Sequence, residues 1–69
     1  MKTHIILNEK GQPMETCEYE PGKPVLSNGD RAETFTYSTA RRMIARSIAY
    51  AEAESLPWNA KRYRLMRLR

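Results

Sequence analysis

His4 and Cys17 are the one histidine and the one cysteine of a 69-residue chain. On neighbouring strands they would pair a base with a thiol nucleophile, the arrangement that activates cysteine for covalent catalysis. The plainer reading is a small, buried Cys17 and a His4 at a strand edge, and it is the better supported. Glu15, Glu18 and Glu20 suit a solvated strand face and its margin better than a paired-carboxylate site. One histidine and one cysteine fall short of the four N/S ligands a structural zinc centre takes. No glycine-rich phosphate loop and no Ser/His/Asp set is present. These residues therefore predict no enzyme, no metal and no cofactor.

Charge is the feature left to explain. Residues 1–37 hold four cations against six anions, a net of −2, and residues 38–69 hold eight against two, a net of +6. Such a split predicts an oriented electrostatic surface. In "YSTARRMIARSIAYAEAES", residues 37–55, Arg41, Arg42 and Arg46 crowd the start of an expected helix, and Glu52 and Glu54 its end. Helix dipoles favour the opposite order, by about 0.3–1 kcal/mol per exposed charge. Arg42 and Arg46 are also a like-charge pair four residues apart, unfavourable by roughly 0.2–0.5 kcal/mol. Three readings are open: ordinary solubilising charges, charges paired with Glu15, Glu18 or Glu20 across the fold, or an anion-binding patch, since arginine clamps phosphate and carboxylate bidentately. Lys61, Arg62, Arg64, Arg67 and Arg69 form a second basic cluster near Trp58 and Tyr63. Basic residues among aromatics bind nucleic acid by phosphate contact and stacking, although Trp58 and Tyr63 also suit the core.

Residue patterning dictates the scaffold beneath these side chains. "THIIL", the turn signal "NEKGQP" and "METCEYE" read as a β-hairpin over about 3–20, with Cys17 and Tyr19 on its buried face. Residues 21–33 read as loop: Pro21 and Pro24 break the strand, and Asn28-Gly29 marks a turn that allows a small second hairpin. Ser38 is placed to cap a helix over about 38–55. Its buried stripe is Ala40, Met43, Ile44, Ser47, Ile48, Ala51 and Ser55, and Pro57 ends it at or before Leu56. The tail over about 61–68 reads as a strand with a phase slip or as a helix without a clean apolar stripe, and the missing stripe favours the strand. The prediction is a single small α+β domain, ββαβ-like, with an antiparallel sheet of N-terminal hairpin and C-terminal strand packed on one helix.

Size limits what holds it together. Such a chain buries only about 60% of its unfolded surface. Its core rarely supplies more than roughly 3–5 kcal/mol, and one cysteine forms no internal disulfide. An efficient core or a homodimer through Trp58, Tyr63 and Leu65 is implied. The lone thiol suits a reducing compartment. No apolar run approaches the roughly 18 residues of a membrane span, so a soluble, non-membrane protein is expected.

Three pieces carry a resemblance. "MKTHIILNEKGQPM", "RAETFTYSTARRMIARSI" and "YRLMRL" resemble the opening hairpin, the strand-to-helix segment and the closing strand of small accessory proteins of bacteriophages and mobile elements. Anti-CRISPR inhibitors of similar size share this layout. The resemblance implies a stoichiometric inhibitor in the cytoplasm of a bacterial host, bound to a protein or ribonucleoprotein complex that handles nucleic acid. It supplies no motif residues. Many such inhibitors are acidic DNA mimics, whereas this chain is basic, so an acidic protein surface, or the guide or target nucleic acid, suits it better. Direct DNA or RNA binding is the alternative.

Overall fold

A computed structural model describes residues 1–29, 31–55 and 63–68. Chain order is β1 (His4–Leu7), β2 (Met14–Glu20), β3 (Lys23–Asn28), α1 (Tyr37–Ala53) and β4 (Arg64–Arg67). The strands form two small antiparallel sheets, β1–β4 and β2–β3. The α+β class read from the sequence is the class observed. The strand partners differ from those expected.

The N-terminal hairpin is reduced to one bridge, Leu7 with Pro13. Asn8 organises the turn: its side-chain oxygen accepts from the Lys10 and Gln12 amides, both at 2.9 Å, and Gly11 supplies a positive φ of 79°. Pro13 has no N–H with which to extend the ladder. The edge of β1 that β2 would have used goes to Phe35, which exchanges two backbone bonds with His4, at 2.8 and 3.0 Å.

β2 turns into β3 instead, inside the segment expected to be loop. Pro21 followed by Gly22 at φ 77° is the residue order a type II turn demands. The ladder is irregular between Glu18 and Glu20. Pro24 does not interrupt it. The Leu26 amide points away from β2, donating to Ser47 Oγ at 2.8 Å. Pro24, two residues earlier, therefore turns its missing donor to the same outer edge.

α1 is capped two residues earlier than expected. Thr36, not Ser38, is the N-cap, its hydroxyl accepting from the Thr39 amide at 3.2 Å. Ala40, Met43, Ser47 and Ala51 are buried, Ile44 and Ile48 are half-buried, and Ser55 is exposed beyond the helix end. The core joins Ile6, Met14, Leu26 and Phe35 to Ala40 and Met43, with Ile44, Tyr63 and Leu65 packed against it. Tyr19 departs from expectation: it is 53% exposed, on the strand that carries the ladder irregularity. Pro57, Trp58 and the beginning of the expected C-terminal strand lie outside the described residues.

Candidate binding surface

The three helix arginines are all exposed, but they do not form one patch. Residues four apart share a ridge of a helix. Tyr37 and Arg41 make one ridge, and Arg42, Arg46 and Tyr50 make another. Their aromatic members show where each ridge faces. The Tyr37 ring lies 5.4 Å from His4 on β1, whereas the Tyr50 ring stacks on Tyr19 of β2 at 6.4 Å and 17°. The ridges flank the buried stripe on opposite sides.

On the first flank, Arg41 is held by its own helix. Its Nη1 donates to the Tyr37 hydroxyl at 3.1 Å, and its guanidinium sits 5.8 Å from that ring's centroid, a cation–π distance. The His4 ring also meets Tyr37, with Nδ1 2.9 Å from Thr3 Oγ1. Arg67 pairs directly across the ladder from His4, so the two share a face of the sheet. Leu65, two residues earlier, packs on the core beneath α1, which places Arg67 on the helix side as well. The resulting order is Arg41, Tyr37, His4, Arg67. Arg64 pairs with Leu7 and is exposed.

On the second flank, neither Arg42 nor Arg46 pairs with a carboxylate among the described residues. Glu20 pairs with Lys23 at 3.3 Å, and the Glu33 carboxylate takes the Thr16 amide at 2.7 Å and its hydroxyl at 3.1 Å. The expected alternative, arginines neutralised by the β2 glutamates, is therefore not what the described residues form. No acid stands in the first turn of α1 and no base in the last. With the cap at Thr36, Arg41 and Arg42 fall in the second turn, where the dipole term has faded. What persists is the repulsion between Arg42 and Arg46. The Tyr50 phenol is pushed above its usual value by desolvation first, then by the carboxylates of Glu20 and Glu54.

Lys61, Arg62 and Arg69, the remaining expected binding residues, lie outside the described residues. The His4–Cys17 pair does not assemble: β1 and β2 meet at Leu7 and Pro13, the His4 ring meets Thr3 and Tyr37, and Cys17 is a free, half-buried thiol opposite Val25. Among the described residues no group of three His, Cys, Asp or Glu is placed to hold a metal ion, and no helix is long and apolar enough to cross a membrane.

A half-open groove of about 410 Å³ lies near Tyr19, between the β1–β2 turn, the end of β3 and Tyr63. The sequence reading missed it, along with Tyr37 as the partner of Arg41. The latter had a signal: Tyr37 and Arg41 have the four-residue spacing of helix neighbours. No family model, curated protein or solved structure matches this chain.

Proposed function

We propose that the chain is a non-enzymatic binding protein that docks an acidic surface of a protein or ribonucleoprotein complex through the Arg42–Arg46 ridge. The observation behind this reading is a like-charged, exposed pair with no carboxylate partner among the described residues. Repulsion within the free protein is relieved when an external carboxylate or phosphate lies between the guanidinium groups. The resemblance to small phage inhibitors adds the kind of target, a host complex that handles nucleic acid, and inhibition by occlusion as the mode of action. The test is a pull-down from bacterial lysate with the wild-type chain and the Arg42→Glu, Arg46→Glu double variant. Recovery of the captured complex should fall at least about tenfold while the variant stays folded. Equal recovery by the folded variant overturns the proposal.

A second reading, direct nucleic-acid binding, draws on the Arg41, Tyr37, His4, Arg67 row, where two cations bracket two aromatic rings, the combination of phosphate contact and stacking that single-strand binders use. It predicts gel-shift affinity for bare RNA or DNA that falls with salt, at a slope of about −0.7 per single-strand phosphate contacted. Affinity unchanged by Arg41→Ala and Arg67→Ala excludes this row as the contact.

A further inference from the structure

Two two-stranded sheets have four outer edges, and three of them meet a group from elsewhere in the chain. β1 gives its outer edge to Phe35, which exchanges two backbone bonds with His4. On β2 the outward Thr16 amide donates to the Glu33 carboxylate at 2.7 Å. On β3 the outward Leu26 amide donates to Ser47 Oγ at 2.8 Å. β4 is different. The Leu68 amide donates to the Thr3 carbonyl at 2.7 Å, which makes Thr3 and Leu68 a hydrogen-bonded pair of the antiparallel ladder. Such pairs alternate with non-bonded ones, whose N–H and C=O groups point outward. With Arg67 opposite His4 and Leu65 opposite Ile6, Leu65 and Arg67 are the outward residues of β4. His4, which spends its own N–H and C=O on Phe35, fits the same alternation. Among the described residues nothing receives the outward groups of Leu65 and Arg67. An open strand edge is a template for one more strand.

The side chains of β4 define what that strand carries. Arg64 and Arg67 are exposed, and neither pairs with a carboxylate among the described residues. Arg67 stands on the helix side of the sheet, and Arg64 stands on the other side with the exposed Met66. Residues 61–69 hold five cations and no anion. A second copy of the chain would bring five more cations to the same edge, and like charges facing each other across a ladder are destabilising. We infer that the outer edge of β4 takes an extended, acidic segment of a partner protein as an added strand. Its carboxylates lie beside Arg64 and Arg67, and apolar residues lie between them, beside Leu65 and Met66. Positions facing Arg64 and Arg67 are three residues apart, so the fitting pattern is two acids separated by two apolar residues. β4 belongs to the flank of Tyr37 and His4, so this site does not depend on what docks at the Arg42–Arg46 ridge.

The test titrates the full 15N-labelled chain, followed by NMR, with the blocked peptide Ser-Glu-Val-Val-Glu-Ser and its counterpart Ser-Lys-Val-Val-Lys-Ser. In the free chain the Leu65 and Arg67 amides should exchange rapidly with solvent. The acidic peptide should shift both saturably and slow their exchange by about tenfold or more. The basic peptide should bind at least about tenfold more weakly. Two variants separate backbone pairing from charge alone. Arg67→Ala removes the cation and keeps the outward N–H. Arg67→Pro removes both, and it spares the β1–β4 ladder because an edge strand tolerates proline where its N–H points outward. Arg67→Pro should bind the acidic peptide about tenfold more weakly than Arg67→Ala. Thermal denaturation checks that both variants fold, and if Arg67→Pro does not, the two wild-type amides decide alone. The inference is overturned if these amides are already protected in the free chain, or if the acidic peptide leaves them unshifted. It is equally overturned if they shift with protein concentration in the absence of peptide, which would make a second copy the occupant. Equal binding of the two peptides, or of folded Arg67→Pro and Arg67→Ala, overturns it as well.

Discussion

The inward and outward surfaces of α1 obey opposite logics. Inside, Ser47 is fully buried yet satisfied twice over: its hydroxyl donates to the Met43 carbonyl at 2.7 Å and accepts the Leu26 amide at 2.8 Å. That second bond closes the outer edge of β3, so a polar side chain in the stripe stands in for a neighbouring strand. Outside, one ridge satisfies its arginine locally, Arg41 on Tyr37, and the other leaves Arg42 and Arg46 facing each other. Where the fold needs a polar group it supplies the partner. Where the partner is missing, the charges are left to solvent.

The sharpest way to break this contrast is Ser47→Ala. It removes the acceptor of a buried amide on β3, and an unsatisfied buried donor costs about 1–3 kcal/mol. For a domain of this size each 1 kcal/mol lowers the melting temperature by about 4–8 °C. Arg42→Ala, on the exposed side of the same helix, should stay within about 0.5 kcal/mol of wild type. Thermal denaturation of both variants decides the matter: comparable losses would mean that the inner surface is not held by its polar bridge.

Arg42→Glu is the next largest expected effect and has the opposite sign. It removes the repulsion with Arg46 and installs the favourable order, acid N-terminal to base at four residues. Together these changes should stabilise the chain by about 0.5–1 kcal/mol while weakening capture of the partner. A variant both less stable and fully competent in binding would remove the reason for assigning function to this ridge.

The helix and its buried stripe were legible because a 3.6-residue period and a run of alanines are local signals. Strand pairing was not, because it is decided by competition. "NEKGQP" is a sound turn, but β2, which comes after it, had two possible neighbours, β1 and β3. Pro13 and the bonds between Phe35 and His4 settle that choice, and Phe35 is far away in sequence. Pro21 and Pro24 read as breakers by composition. Their positions, one in a turn and one on an outward edge, make them harmless. The arginine surface was half legible. Residue type and exposure came from the helical wheel, but the division into two flanks depends on which tyrosine finds which strand, a tertiary outcome. The groove had no sequence signal, since Asn8, Gln12 and Asn28 meet only once β3 returns beside the first turn.

The smallest effect concerns the tyrosine on the groove side of the molecule. Burial first, and then the nearby Tyr19, push the Tyr63 phenol above its usual 10.0. The folded chain therefore holds this proton at pH values where the unfolded chain has released it, and stability declines wherever the native state binds more protons. The contribution is complete below about pH 10 and is lost as pH rises through the folded value. Thermal midpoints recorded from neutral to strongly alkaline pH should fall less steeply for Tyr63→Phe than for wild type. Comparing slopes rather than absolute midpoints separates this proton from any packing cost of the lost hydroxyl, since a packing cost shifts the whole curve without tilting it. Parallel slopes in the two proteins would mean that water reaches the Tyr63 phenol freely in the folded chain.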